Sequence, residues 1–118
     1  MATDDRTPVF VGVAQVEQRE DDPGAAKEPL DLMVQAVEAA AADCGNPNIL
    51  QAADSVRVVR GIWGYGNPAR IVAERIGAPG AETGITSLGG NYVQSLTNRS
   101  FLDIQSGKND IIIVTGGE

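Results

Sequence analysis

Ser55-Val56-Arg57-Val58-Val59-Arg60-Gly61-Ile62-Trp63-Gly64-Tyr65-Gly66-Asn67-Pro68-Ala69-Arg70 passes from strand chemistry to helix chemistry within 16 residues. The β-branched run at 55–60 reads as a strand. The glycines at 61, 64 and 66 break it and supply a loop. Asn67 then offers a side-chain oxygen to cap a helix, and Pro68 suits its first turn. Gly77 and Pro79 close that helix. A strand that feeds a helix through a short glycine loop is half of a βαβ unit.

The flanking sequence continues the alternation. Upstream, Leu30, Met33, Val34, Val37, Ala41 and Cys44 recur at spacings of three and four, one face of a helix. Pro29 fits its first position and Gly45 its left-handed C-terminal cap. Before it, Pro8-Val9-Phe10-Val11-Gly12-Val13-Ala14 is a short apolar run that predicts a buried first strand. Downstream, Gly84-Ile85-Thr86-Ser87-Leu88 is a weaker third strand. Gly89-Gly90-Asn91 then opens a long helix with Val93, Leu96, Ser100 and Ile104 on one stripe, closed by Gly107. Asp110-Ile111-Ile112-Ile113-Val114 predicts a fourth strand, the most apolar run of the chain. Strands alternating with helices imply an α/β fold, with a mostly parallel sheet covered on both faces. The chain ends almost directly after that fourth strand, so the sequence reads as the first part of something larger.

Composition narrows the chemistry. The 118 residues hold 16 Asp plus Glu against 9 Lys plus Arg, one Cys and no His, for a net charge of −7. Without histidine there is no imidazole base, no His-based triad and no His-containing metal site, and no metal is expected. The negative charge argues against a nucleic-acid partner, which needs clustered Lys and Arg. The acids crowd the first half: residues 1–54 hold 11 acids and 3 bases, including Glu17, Glu20, Asp21 and Asp22 in a stretch that reads as a solvated loop. One Cys forms no internal disulfide, and Cys44, ending an apolar stripe, reads as a small buried thiol. No signal pattern opens the chain and no apolar run approaches membrane-spanning length, so a cytoplasmic protein with no membrane partner is expected. A Gly-Lys-Ser/Thr phosphate loop is missing, and neither Gly12-Val13-Ala14 nor the loop at 61–66 has dinucleotide-binding spacing. A Rossmann-like domain with a nucleotide ligand is the weakest of three readings.

The segment Gly64-Tyr65-Gly66-Asn67-Pro68-Ala69-Arg70 resembles the Gly-x-Gly-x-Asn-Pro-Ala-Arg segment near the start of thiolases, enzymes that make and cleave 3-oxoacyl-CoA. The order around it matches too: an opening strand at 9–13, a helix at 32–45, the helix ending in Gly77-Ala78-Pro79, a long helix, and the run at 107–114 followed by Gly116-Gly117-Glu118. The resemblance covers nearly the whole chain and implies a thiolase-like three-layer α/β/α fold, incomplete here, with residues 1–118 the N-terminal part of one domain. It implies an acyl-CoA acyltransferase of the acetyl-CoA acetyltransferase family, acting in lipid metabolism, with a coenzyme A thioester as substrate or ligand and no further cofactor. It also implies a homodimer through contacts of this half, and a fifth strand not reached by this chain, leaving an edge open to pairing. Asn67, Pro68, Ala69 and Arg70 are expected to be structural in that family setting.

In thiolases the long third helix begins with the nucleophilic cysteine, whose thiolate the helix dipole favours. Counting back from Gly107 places that position near Gly90, inside Leu88-Gly89-Gly90-Asn91-Tyr92. Glycine attacks nothing, so no catalytic residue is expected in this segment and no turnover from residues 1–118 alone. The departure resembles thiolase-like proteins of the sterol-carrier branch, some of which carry Gly-Gly-Asn there. Gly89, Gly90 and Asn91 remain candidates to present backbone N–H groups to a thioester or phosphate oxygen. The family's remaining catalytic segments lie downstream of residue 118. The alternative is a non-catalytic acyl-CoA-binding or interaction protein that retains the fold.

Overall fold

A computed structural model of the chain describes residues 6–117. The elements run α1 (Pro29–Cys44), a 3-10 turn (Pro47–Ala52), β1 (Ser55–Arg60), α2 (Pro68–Arg75), β2 (Glu82–Leu88), α3 (Tyr92–Gln105) and β3 (Ile112–Gly116). The sheet is all-parallel with order β2-β1-β3. Passing from β1 to β2 moves one way across the sheet, and passing from β2 to β3 moves back. Right-handed crossovers therefore put α2 and α3 on opposite faces.

Sequence explains each helix end. Pro29 starts α1, and Gly45 at φ 84° ends it, its N–H donating to the Ala41 and Ala42 carbonyls. Asn67 Oδ1 accepts from Arg70 N–H at 3.2 Å, which caps α2, and Pro68 sits in its first turn. Gly77, at φ 85°, closes it.

The two faces of the sheet are unlike. Val56 and Val58, two residues apart on the central strand, point to the side of α1 and α2 and are fully buried among Met33, Val37, Ala69 and Val72. Each large side chain removed from water there contributes roughly 1.5–3 kcal/mol. Arg57 points to the opposite face and is buried beneath α3. Its guanidinium donates to Ser55 Oγ (3.1 Å), Ser100 Oγ (3.0 Å), Asp103 Oδ2 (2.7 Å) and Asn109 Oδ1 (3.2 Å). Burial pushes the Asp103 carboxyl upward. The Arg57 hydrogen bond and charge, with the charges of Arg99 and Lys108, outweigh that and hold it below its ordinary range. α3 is thus fastened by a satisfied polar network rather than by an apolar stripe: Ser100 and Asp103 are buried, whereas Val93 is exposed.

Three sequence expectations are corrected. The run at 8–14 forms no strand, and Val9, Phe10, Val11 and Val13 are 56–71% exposed. A strand exists only against a partner, and this run has none. It instead crosses α1 and α3: Val13 N–H donates to Asp43 Oδ2 (2.9 Å) and the Phe10 ring meets Phe101 edge-on at 5.4 Å. The apolar run near 110–114, which as the most apolar of the chain reads as its best core strand, is an edge strand, with Val114 39% exposed. The central position falls to β1, whose Arg57 had disguised it. Cys44, read as buried, is a free thiol only half-buried at the end of α1.

Candidate functional site

The loop at 61–66 and the turn at 89–91 follow two adjacent strands, β1 and β2, whose last residues Arg60 and Leu88 are paired. Parallel strands deliver their following loops to one end of the sheet, where open α/β sheets place their ligands. The loop is anchored by its aromatics. Trp63 Nε1–H donates to the Gly117 carbonyl at 2.7 Å, and the Tyr65 hydroxyl accepts from Leu30 N–H at 3.4 Å. The two rings stack at a tilt, 5.1 Å apart.

The Asn-Pro-Ala-Arg segment faces away from chemistry. Asn67 caps, Pro68 and Ala69 are buried, and the Arg70 guanidinium donates to the carbonyls of Pro79 and Ala81. It clamps the turn that follows α2 onto the helix start, which fixes where β2 begins.

At the start of α3, Gly89 adopts φ 151°, and its carbonyl accepts from Tyr92 N–H (3.1 Å). The Gly90 carbonyl accepts from Val93 N–H (3.3 Å). Among the described residues, the N–H groups of Gly90 and Asn91 have no hydrogen-bond partner. The Asn91 side chain makes no cap. A Cβ built at Gly90 would meet nothing within 4 Å, whereas one at Gly89 would lie 2.8 Å from Asn91 Oδ1. Position 90 therefore has room for a side chain or a ligand atom beside the helix N-terminus, where the backbone favours negative charge. Gly89, Gly90 and Val93 line one end of a cavity of about 850 Å³ that extends past β3 to the run at 10–16. Its walls are mostly apolar, and its volume falls within the usual range for small-molecule sites.

The turn at 89–91 carries no nucleophilic side chain; the thiol that lines the cavity, Cys44, sits at the end of α1, and Thr86 Oγ1 donates to the Ser87 carbonyl. Among the described residues no group of His, Cys, Asp or Glu could hold a metal ion, and no helix is long and apolar enough to cross a membrane. Sequence reasoning missed Arg57 and its partners. The signals were a charged residue inside a β-branched strand and a Ser–Asp pair three residues apart on the helix.

The fold is that of the thiolase superfamily. The chain is similar to the crystal structure of a monomeric SCP2-thiolase like protein type 1 from Mycobacterium smegmatis, at 33% identity and a TM-score of 0.86. That match covers 99% of this chain and 25% of that one. A 3-oxoacyl-[acyl-carrier-protein] synthase III from Aquifex aeolicus VF5 shares the fold at 18% identity and a TM-score of 0.60, over 76% of this chain and 29% of its own. The chain thus spans about a quarter of the length of these structures. No protein-family model matches the sequence, and no curated protein does.

Proposed function

We propose that the chain is the N-terminal portion of a thiolase-like acyl-CoA acyltransferase of the acetyl-CoA acetyltransferase type, a cytoplasmic protein of lipid metabolism. Its ligand is a coenzyme A thioester, and it needs no metal and no further cofactor. The observation that carries this reading is the Gly89-Gly90-Asn91 turn. Two backbone N–H groups without partners lie at the start of α3, where a Cβ at Gly90 would meet nothing within 4 Å, on a fold like that of the SCP2-thiolase like protein. Such groups suit a thioester carbonyl or a phosphate oxygen.

A second reading is favoured by Gly90 and by the absence of histidine from the chain. In it, the protein binds acyl-CoA without turning it over. Residues 1–118 place glycine, not a nucleophile, at position 90, and no thiolysis is expected of them alone. Calorimetric titration with acetyl-CoA, run beside a thiolysis assay on acetoacetyl-CoA, separates the cases. Binding with no turnover from this chain is the expected result. Absence of binding at millimolar acetyl-CoA would overturn the ligand assignment in both readings. A homodimer belongs to the same proposal, supported by exposed apolar residues on both edges of the sheet, Leu88 and Val114 among them. The Mycobacterium smegmatis protein is described as monomeric, so sedimentation of this chain decides whether it departs from that relative.

A further inference from the structure

Just before the turn at 89–91, β2 gains one residue on β1. Val58 pairs with Ile85, so an unbroken ladder would set Ser87 opposite Arg60, yet Arg60 pairs with Leu88. Val59 therefore faces two residues, Thr86 and Ser87, which is a β-bulge, rare between parallel strands. Side chains alternate along a strand, so one extra residue moves those after it to the opposite face. Leu88, Gly89 and Gly90 are the residues so moved. The bulge thus decides how β2 delivers the chain to the turn and to the start of α3.

A bulge disrupts the ladder, and something must hold it in place. One hydroxyl does so here. Thr86 Oγ1 accepts from Arg60 N–H at 3.1 Å and donates to the Ser87 carbonyl at 2.8 Å. The first bond ties β2 to β1, and the second fixes the peptide on which the chain leaves the bulge. Burial holds little at this end of the strand, where Ile85, Ser87 and Leu88 are all exposed. We propose that Thr86 is a positioning residue of the candidate site. Its hydroxyl locks the bulge, and the locked bulge aims the Gly90 and Asn91 N–H groups at a thioester or phosphate oxygen. The ligand rests on the proposed function, whereas the geometry rests on the pairing of β1 with β2 alone.

The test keeps the whole chain and reads the turn in two ways. Cys44→Ser with Gly90→Cys leaves one thiol, at the turn, and its alkylation rate against pH gives a midpoint without any ligand. Titration of the chain without those two substitutions gives its affinity for acetyl-CoA. Both are measured with Thr86, Thr86→Val and Thr86→Ser. Valine keeps the shape of threonine and loses both hydrogen bonds, whereas serine keeps the hydroxyl. Thr86→Val is expected to raise the thiol midpoint toward the roughly 8.5 of a free cysteine and to weaken acetyl-CoA binding about tenfold. Thr86→Ser should restore both. A merely structural side chain would shift the denaturant midpoint and leave the thiol of the folded protein unmoved. Equal thiol midpoints with Thr86 and Thr86→Val therefore overturn the proposal, whatever the affinity. A midpoint at the free-cysteine value with Thr86 present overturns it together with the acyl-CoA reading. A midpoint that follows the hydroxyl while millimolar acetyl-CoA fails to bind upholds the positioning role and overturns that reading alone. Circular dichroism checks that Thr86→Val folds. Should it not, amide exchange of the unsubstituted chain decides: slow exchange at Arg60 N–H supports the bond to Thr86, and exchange at the rate of an open peptide overturns it.

Discussion

Gly89 and Gly90 are neighbours with opposite tolerances. Gly89 holds φ 151°, and a side chain there would press on Asn91 Oδ1. Gly89→Ala is expected to lower stability by about 1–3 kcal/mol, read from denaturant midpoints, because the backbone conformation and the contact both oppose a Cβ. Gly90→Ala should be close to neutral in the same assay, since its Cβ enters open space. That difference permits a direct probe of the field at the start of α3. With Cys44 replaced by Ser, Gly90→Cys places one thiol beside the unpartnered N–H of Asn91. Its alkylation rate should rise with pH about a midpoint below the roughly 8.5 of a free cysteine. A midpoint at or above that value would mean that the turn stabilises no anion, and the ligand assignment would lose its support. Gly12 is constrained for a different reason. Its Cβ would meet the Ala40 carbonyl, a backbone atom that cannot rotate away.

At the scale of elements, the difference between the two faces of the sheet sets what each helix tolerates. α1 and α2 rest on valine and methionine, while α3 hangs from Arg57. Removing one partner of a buried pair strands the other charge. Asp103→Ala is therefore expected to cost about 3 kcal/mol, near the low end for such losses because the Glu82 carboxylate stays 3.6 Å from the Arg57 guanidinium. Asp103→Asn keeps an oxygen for Arg57 and should cost less. The carboxyl sits below its ordinary range in the folded protein. Its contribution is therefore present above the unfolded value near 3.9 and is lost as pH falls through the lower folded value. Acid unfolding followed by circular dichroism below about pH 4 should accordingly be shallower in Asp103→Asn than in the parent. This network also marks the limit of what pattern reading reaches. Local signals placed α1, β1 and α2 well, because Pro29, Gly45, Asn67 and Gly77 act on their own backbone. The existence of α3 was legible, but not the face it buries, since that depends on an arginine 43 positions from Ser100. The run at 8–14 has every local mark of a strand, and whether it forms one is decided by a neighbour that composition cannot supply. The open space at Gly90 was equally out of reach, because it is a property of surrounding atoms and not of the glycine.

For the whole molecule, a charge of −7 and exposed apolar edges oppose each other. Self-repulsion opposes association at neutral pH, while exposed apolar residues such as those of the run at 8–14 would favour it. The sequence isoelectric point is about 4.4, so repulsion vanishes there, just above the range in which Asp103 begins to lose its charge. Light scattering across pH 3.5 to 7 should peak near the isoelectric point, and added salt at pH 7 should raise it by screening. These two results alone would fit any acidic protein. Val11→Lys separates the causes, because it moves the net charge from −7 to −6 and thereby weakens repulsion at neutral pH. If charge alone governed association, that variant would scatter more light than the parent at pH 7. The exposed run predicts the reverse, since a lysine in its middle blocks strand addition more strongly than one unit of charge promotes approach. The variant should scatter less at every pH in the series, and an increase at neutral pH would assign association to net charge rather than to the unpaired edges.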